Sequence, residues 1–238
     1  MAGDKILVLG ATGPAGICLL RELIFWKHKT IAYARNPSKI PEDLVTSPFL
    51  EVVKGEMDDV TTLASAVARC NMILSLLGPN EMRPKVPIPY AGYYSKLFPI
   101  MREHGVKRIM AMSTCSADQS QDGFSLLVWL MVLSIRYIAP AAYQAMRSIA
   151  RVFREEAQDL DWTVYRLAMI PGGHDEQSWK RDRESAVHAG YIGDGRWTYW
   201  TRRGAVARWL VDCAEEGQGE WIGKLPAISD GGKKEKAQ

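Results

Sequence analysis

The sequence predicts an α/β fold, with a doubly wound, mostly parallel sheet and helices on both of its faces. Short apolar runs alternate with helical patterns along the chain, as in strands joined by crossover helices. The runs Ile6–Leu9 and Met72–Leu77 are apolar at nearly every position, which is typical of strands buried on both faces. The first run leads directly into a glycine-spaced turn, Gly10–Gly16. A strand, a glycine turn and a helix in this order indicate a Rossmann-type domain.

The elements of the first half follow from periodicity and from punctuating residues. Apolar residues recur at helical spacing behind the glycine turn. Asn36-Pro37 ends the second strand, because the residue before a proline avoids helical backbone angles. Asp58 and Asp59 are candidate N-caps for the second helix. We predict strands at Ile6–Leu9, Thr30–Ala34, Leu50–Val53 and Met72–Leu77, and helices at Ala15–Lys27 and Val60–Ala68.

The second half continues the alternation after a loop that contains Pro84, Pro87 and Pro89. The helix that follows contains Pro99, which predicts a kink because proline cannot donate the helical hydrogen bond. A long helix then precedes the last predicted strand, and a final helix packs on the sheet. We predict strands at Arg108–Met112 and Thr163–Ile170, and helices at Ala91–Glu103, Ala141–Gln158 and around Val206–Val211.

Length and composition favour a single domain. A chain of 238 residues that is 47% hydrophobic fills one large α/β core, so we expect one domain over residues 1–230 and a disordered tail over 231–238. Within it, residues 115–145 and 171–204 would form the substrate region. The net charge of +3 comes from scattered Lys and Arg, which does not favour nucleic-acid binding.

Cysteine usage indicates a reducing compartment. The four cysteines are widely spaced, none forms a C-x-x-C pair, and the histidines do not join them at ligand spacing. We therefore expect neither disulfides nor a metal site. The first predicted strand begins too early to leave room for a leader peptide, and we expect a cytoplasmic protein.

The segment Ser125–Ile138 is apolar until Arg136. It is shorter than the ~20 residues that a membrane-spanning helix needs, so no membrane span is expected. Three interpretations of the segment stay open. It forms a core helix, or it covers a substrate pocket, or it is a contact surface for a membrane or a second subunit. The oligomeric state stays open between monomer and homodimer.

The glycine turn predicts a dinucleotide site. Gly10-x-x-Gly13-x-x-Gly16 between a strand and a helix lets the backbone approach a pyrophosphate and places a helix N-terminus against its charge. An NAD site favours a carboxylate after the second strand, but no acid occurs from Ile31 to Pro41. Arg35 and Lys39 stand there instead and suit the 2′-phosphate of NADP.

Seven motifs of this chain resemble those of one known group of proteins. They are Gly10-Ala11-Thr12-Gly13-Pro14-Ala15-Gly16, Ala34-Arg35-Asn36-Pro37-Ser38-Lys39, Gly55-Glu56-Met57-Asp58-Asp59, Ser75-Leu76-Leu77-Gly78, Lys107-Arg108-Ile109-Met110-Ala111-Met112-Ser113-Thr114, Leu160-Asp161-Trp162-Thr163-Val164-Tyr165-Arg166 and Gly223-Lys224-Leu225-Pro226-Ala227-Ile228-Ser229. With them the chain resembles the atypical short-chain dehydrogenase/reductase group with an NAD(P)-binding domain, near its NmrA-like and flavin/biliverdin reductase-like members.

The resemblance implies roles for residues at the strand ends. Thr12, Gly13, Pro14 and Ala15 would wrap the pyrophosphate, and Glu56 and Met57 would lie by the adenine. Leu77 and Gly78 would border the ribose, and Ser113 and Thr114 would face the nicotinamide. Two positions depart from the family's pattern, since Glu56 stands where Asp is common and Leu167 follows Arg166 where Pro is common.

A candidate catalytic pair follows on the long helix. Typical short-chain reductases combine a Ser with Tyr-x-x-x-Lys, whose two side chains share one helix face. This chain has Ser113-Thr114 and then Tyr143-x-x-x-Arg147, in which Arg replaces the usual Lys. Tyr143 is either the proton donor of a carbonyl reduction or a helix tyrosine with its ring in the core.

The function predicted from these residues is an NADPH-dependent reduction of a small substrate. The apolar segment and the tryptophan-rich end favour an apolar or aromatic carbonyl or quinone-like compound, although tryptophans are equally common in cores and interfaces. Two alternatives stay open, because the usual Lys is absent. One is a non-catalytic NADP-binding sensor with a protein partner, and the other is a non-redox step such as isomerisation, dehydration or cyclisation.

Overall fold

The computed structural model describes residues 3–78, 89–215 and 219–231. Pro84 and Pro87 of the proline-containing loop lie outside the described residues, as do residues 232–238 of the expected tail. All elements below lie within the described ranges.

One eight-stranded sheet organises the described residues, in the order β3-β2-β1-β4-β5-β6-β8-β7. Every neighbouring pair is parallel except the last, in which β7 runs antiparallel to β8. This confirms the predicted mostly parallel sheet. The strands are β1 Lys5–Leu9, β2 Thr30–Ala34, β3 Leu50–Lys54, β4 Cys70–Ser75, β5 Arg108–Thr114, β6 Asp161–Leu167, β7 Val187–Gly190 and β8 Ala227–Asp230.

Helices cover both faces of the sheet, as predicted. The second predicted N-cap candidate is confirmed, since the Asp59 carboxylate accepts from the Thr62 backbone N–H at 3.0 Å. The predicted helix bounds differ from the observed ones by up to four residues, which is the usual uncertainty of element ends predicted from sequence. The helices are α1 Pro14–Phe25, α2 Glu42–Val45, α3 Val60–Val67, α4 Tyr90–Glu103, α5 Leu126–Ile138, α6 Pro140–Glu156, α7 Glu176–Asp182 and α8 Arg203–Glu215.

Two hydrophobic cores lie on the two sides of the sheet. On one side α3, α4 and α6 pack on it, with Tyr94, Phe98 and Phe153 fully buried and in ring contact. On the other side α1 and α8 pack on the sheet and on each other. The alternation of odd and even strand residues between the two cores explains why the strands read as continuous apolar runs.

The edge of the sheet formed by β6, β8 and β7 differs from the prediction. The sixth strand runs over Asp161–Leu167 rather than Thr163–Ile170, and α7, β7 and β8 follow it without having been predicted. The β7 sequence Val187-His188-Ala189-Gly190 is short and half-buried, so it carries neither an apolar run nor an alternating pattern. Its pairing with β8 depends on the tertiary fold.

The apolar segment forms α5, and the core alternative for it is wrong. Val128 is the one α5 residue buried in the described structure. Within the described residues no single helix has the length and apolarity to cross a bilayer. Helices α5 and α6 meet the criterion as a pair, by length and composition only, across a bend of 117°.

Candidate functional site

The glycine turn sits tightly between β1 and α1. Gly10 adopts a φ of 79°, and a Cβ there would lie 2.8 Å from the Leu76 carbonyl carbon. A Cβ at Gly16 would lie 2.3 Å from the Gly10 carbonyl oxygen. A Cβ at Gly13 would meet only that oxygen, at 3.5 Å, which is an ordinary contact. The fold therefore requires glycine at positions 10 and 16, whereas the glycine at position 13 leaves open space in front of the turn.

Because Gly16 has no room for a side chain and Gly13 does, alanine at the two positions should affect stability differently. We expect Gly16→Ala to lower the free energy of unfolding by about 1–3 kcal/mol, because the added methyl must displace the backbone of the turn. We expect Gly13→Ala to unfold at nearly the wild-type denaturant concentration. Urea unfolding of both variants followed by circular dichroism measures the difference, and equal stabilities would contradict the packing argument.

The N-terminus of α1 is suited to an anion. Gly13 is its N-cap and Pro14 its first residue, and no side chain of the described residues caps it. Its first turn contains no acid. The free N–H groups and the positive end of the helix dipole therefore point at the space in front of Gly13.

A cleft of about 230 Å³ lies at the carboxyl ends of β1 to β4. The strand order reverses between β1 and β4, which is the place where ligands bind in open α/β sheets. Most of the residues predicted for the cofactor line this cleft. They are Gly10, Thr12, Gly13, Arg35, Lys39, Glu56, Met57, Leu77 and Gly78, whereas Pro14, Ala15 and Gly16 lie just behind in the first turn of α1.

The end of the cleft beside β2 is positively charged. Arg35 and Lys39 are exposed there together with Asn36, and all three residues line the cleft. Asp58, which follows the neighbouring strand β3 and also lines the cleft, is paired with Lys96 at 2.5 Å. Neither Arg35 nor Lys39 forms an ion pair with a residue that the structure describes, so within the described ranges two cations are available to a phosphate.

Three tyrosines that were not predicted from the sequence also line the cleft, namely Tyr33, Tyr90 and Tyr93. The Tyr33 hydroxyl donates to the Glu56 carbonyl at 2.8 Å and lies directly under Gly55. Burial raises the pKa of Tyr33 and of Tyr90 to about 12, so both hydroxyls stay protonated at neutral pH. Tyr90 and Tyr93 lie on α4 and reach the cleft only through tertiary packing.

Ser113 and Thr114 end β5, one strand beyond the cleft. Ser113 is fully buried, and its hydroxyl donates to the Met146 carbonyl on α6 at 3.0 Å. The half-buried Thr114 accepts from the Ser116 N–H at 3.3 Å. Ser113 therefore ties the end of β5 to the first half of α6.

Tyr143 and Arg147 form a hydrogen-bonded pair one turn apart on α6. The Arg147 guanidinium donates to the Tyr143 hydroxyl at 2.6 Å and also lies 5.4 Å from the centre of its ring. The other arm of the guanidinium is ion-paired with Asp118, in the loop after β5. The hydrogen bond to Tyr143 raises the pKa of Arg147. Asp118, which sequence reasoning did not single out, thus fixes the orientation of Arg147.

A second arginine binds the same loop, between β5 and α5, through a buried guanidinium. Arg166 is fully buried and forms a two-pronged ion pair with Asp122, with one nitrogen–oxygen distance of 2.7 Å. It also donates to the carbonyls of Ala117 and Leu225 at 3.1 and 2.9 Å. The carboxylate of Asp122 in turn accepts from the Ile192 N–H. Four chain segments therefore meet at this one buried pair.

Most of the remaining candidate residues, a cysteine and several tryptophans, are buried in the hydrophobic core. Burial raises the pKa of Cys115 to about 12, so it is a thiol at neutral pH. Trp179, Trp209 and Trp221 belong to the core beside α1 and α8, whereas Trp200 is exposed. Most of the tryptophan-rich end is therefore core.

Comparison with known proteins identifies the family. The family model described as NAD(P)H-binding matches residues 10–217. No curated protein matches the sequence. Solved structures that share the fold include three at low identity.

A short-chain dehydrogenase/reductase (wide type) from Veillonella parvula, in complex with NADP, has a TM-score of 0.74 at 16% identity, over 98% of this chain and 96% of that one. An anaerobillin reductase from Escherichia coli O157:H7 has a TM-score of 0.71 at 14% identity, over 97% and 98%. A Rossmann-fold NAD(P)-binding family protein from Shigella flexneri has a TM-score of 0.66 at 16% identity, over 96% and 94%. With the family match over most of its length and a Rossmann fold, the chain belongs to the NAD(P)H-binding family.

Proposed function

We propose that this protein is an NADPH-dependent oxidoreductase that reduces a small, apolar or aromatic carbonyl or quinone-like substrate by hydride transfer. The observation that carries the proposal is the pairing of two features at one edge of the sheet. One is the cleft with its cationic end at Arg35 and Lys39, and the other is the Tyr143–Arg147 pair beyond β5.

The residues of the cleft fit a dinucleotide phosphate. The open space in front of Gly13 and the uncapped N-terminus of α1 would receive the pyrophosphate. Arg35, Lys39 and Asn36 would hold the 2′-phosphate of NADP, since the segment from Ile31 to Pro41 contains no acid to bind the ribose hydroxyl. Tyr90 and Tyr93 add flat, partly buried surfaces for the adenosine. When bound, the nicotinamide supplies the hydride.

The reduction also needs a proton for the developing alkoxide. Tyr143 is the residue of the pair that carries an exchangeable proton at the hydroxyl contacted by Arg147. The guanidinium keeps its charge throughout, and it would stabilise the negative charge left on the phenol oxygen after proton transfer. Ser113, bound to the Met146 carbonyl, would position α6 against β5 rather than donate a proton itself.

Apolar side chains support an apolar or aromatic substrate. Beyond the ends of β5 and β6, the underside of α5 meets a small apolar cluster around Cys115 and Ile192. Trp197 and Tyr199 pack against this cluster and are in edge contact with each other. Apolar walls with a few polar groups are typical of pockets for small molecules.

The proposal is tested by following NADPH oxidation at 340 nm with quinones, flavins and aromatic ketones. Turnover with at least one of these classes supports a reductase. Tight NADP binding without turnover, together with a co-purifying protein, would instead favour the non-catalytic sensor. Conversion of a substrate without net consumption of NADPH would favour a non-redox step.

Cofactor preference gives a sharper test. We expect Arg35→Ala to weaken NADPH binding roughly 10- to 100-fold, because a hydrogen bond to a charged group contributes about 1.5–3 kcal/mol. Lys39→Ala should act in the same direction, and the affinity for NADH should stay unchanged in both. Lys54→Ala, an exposed cation at the end of β3, is the control. Equal losses for NADPH and NADH would contradict the assignment of the 2′-phosphate.

A cytoplasmic location is part of the same proposal. All four cysteines are free and buried, as suits a reducing compartment.

A further inference from the structure

Helix α5 exposes a continuous apolar surface, which we call the α5 face. It consists of Phe124, Leu126, Leu127, Trp129, Leu130 and Tyr137. Phe124 is 82% exposed and Tyr137 is 75% exposed, values that are unusual for large apolar side chains. Phe124 precedes the helix, and the other five residues lie within an arc of about 160° around it, in which Ser134 is the one polar residue.

The opposite side of the helix is firmly attached to the protein. Val128 is buried against Cys115, Ile192 and Ala227, with Met131 and Val132 alongside. Ser125 caps the helix by accepting from the Val128 N–H, and α5 ends directly at α6. The position of the α5 face is therefore fixed by the fold.

The α5 face is larger than the apolar patches of ordinary monomers. Aromatic side chains present ~150–250 Å² each, so the three aromatic residues alone offer roughly 300–500 Å² at their observed exposures. The three leucines, each about half exposed, bring the total to roughly 700 Å². The largest patch on a typical monomer is ~300–600 Å², and larger ones mark interaction sites. A partner is therefore required to cover this surface.

The geometry excludes a membrane span for this segment. Thirteen helical residues are about 20 Å long, against a hydrocarbon thickness of about 30 Å. The second member of the bent pair, α6, buries Met146, Ile149 and Phe153 in the main core and cannot leave it without unfolding the sheet. A helix in this situation can lie on a bilayer but cannot cross it.

The charges around the α5 face match an anionic surface. Between Asp122 and Glu155 the chain holds four arginines and no acid. Two of these arginines, Arg136 on α5 and Arg151 on α6, are exposed, and neither forms an ion pair with any residue that the structure describes. Trp129 and Tyr137 are residue types that accumulate at the boundary between headgroups and hydrocarbon.

We propose that the α5 face binds the surface of an anionic lipid bilayer, with its apolar residues inserted at the headgroup boundary and Arg136 among the lipid phosphates. A second copy of the chain fits less well. Pairing of two α5 faces about a twofold axis would bury each Arg136 against a surface without acids, which leaves an uncompensated charge. Lipid phosphates supply the missing partner.

The test is sedimentation of the purified full-length protein with lipid vesicles. One set contains phosphatidylcholine alone, and the other contains about a third phosphatidylserine. We expect binding to the anionic set, a loss of at least tenfold in Leu127→Glu/Leu130→Glu, and a loss of roughly tenfold in Arg136→Glu. Val60→Glu is the matched control, because Val60 and Leu130 are both 48% exposed and Val60 lies on α3.

Size-exclusion chromatography of the same variants completes the test. Absence of wild-type binding to the anionic vesicles would overturn the proposal, and conversion of a dimer to a monomer by Leu127→Glu/Leu130→Glu would then identify a second copy as the partner. Equal wild-type binding to both vesicle sets would overturn the role of Arg136. Undiminished binding of the double variant would overturn the role of the α5 face.

Discussion

Replacing Asp122 with alanine is expected to lower the free energy of unfolding by about 3–5 kcal/mol, among the largest effects of any single substitution in this chain. The substitution leaves the Arg166 guanidinium buried without its counter-charge, and desolvation of an unpaired charge is costly. It also removes the acceptor of the Ile192 N–H and so loosens the segment that β7 leads into. Arg166→Ala should lower the free energy of unfolding by a similar amount, because it leaves the Asp122 carboxylate and two carbonyl acceptors without their donor.

Chemical unfolding followed by tryptophan fluorescence measures this effect. Lys180→Ala is the control, because it breaks an exposed pair with Glu176 at i,i+4 spacing and should cost no more than about 0.5 kcal/mol. Asp122→Asn keeps the shape and some hydrogen bonds while removing the charge, so it should fall between the two. A loss below about 1 kcal/mol for Asp122→Ala would show that water enters the site and solvates Arg166, contrary to its observed burial.

The central part of the fold could be predicted because its signals are local. Strands such as β1 and β4 are apolar at most positions, and the glycine turn is a backbone requirement that the Gly10 and Gly16 contacts explain. Strand β7 could not be predicted in this way, because its four residues form a strand only by pairing with β8. The same holds for Tyr90 and Tyr93, whose place in the cleft is set by how α4 packs.

The long-range ion pairs were harder still to predict. Arg166 is recognisable in the sequence only as part of a family motif, and nothing in the order of residues indicates that its partner is Asp122, 44 positions away. The pairing of Arg147 with Asp118 spans 29 positions and is equally invisible to periodicity. Apolar periodicity specifies which face of an element is buried, whereas a long-range ion pair depends on which loops the fold brings together.

The second large effect concerns Tyr143. If the proposed reduction is correct, Tyr143→Phe should lower turnover by a factor of about 10²–10⁴, the usual contribution of a positioned proton donor. The affinity for NADPH should stay unchanged, because Tyr143 lies outside the cleft residues. Tyr137→Phe is the control, since it removes the same oxygen atom from an exposed position on α5. Stopped-flow or steady-state oxidation of NADPH measures the rate, and isothermal titration measures cofactor binding.

Variants of Arg147 distinguish a chemical role of the tyrosine from a packing role. Arg147→Gln removes the charge beside the Tyr143 hydroxyl and should lower turnover, because the negative charge left on the phenol oxygen after proton transfer loses its counter-charge. Arg147→Lys restores the usual residue of the family's pair and should retain more activity than Arg147→Gln. A packing role predicts equal losses in the two variants, because the flat guanidinium that stacks near the ring and reaches Asp118 is absent from both. Unchanged turnover in Tyr143→Phe with intact NADPH binding would remove Tyr143 from the mechanism and favour a reaction that needs no protein proton donor.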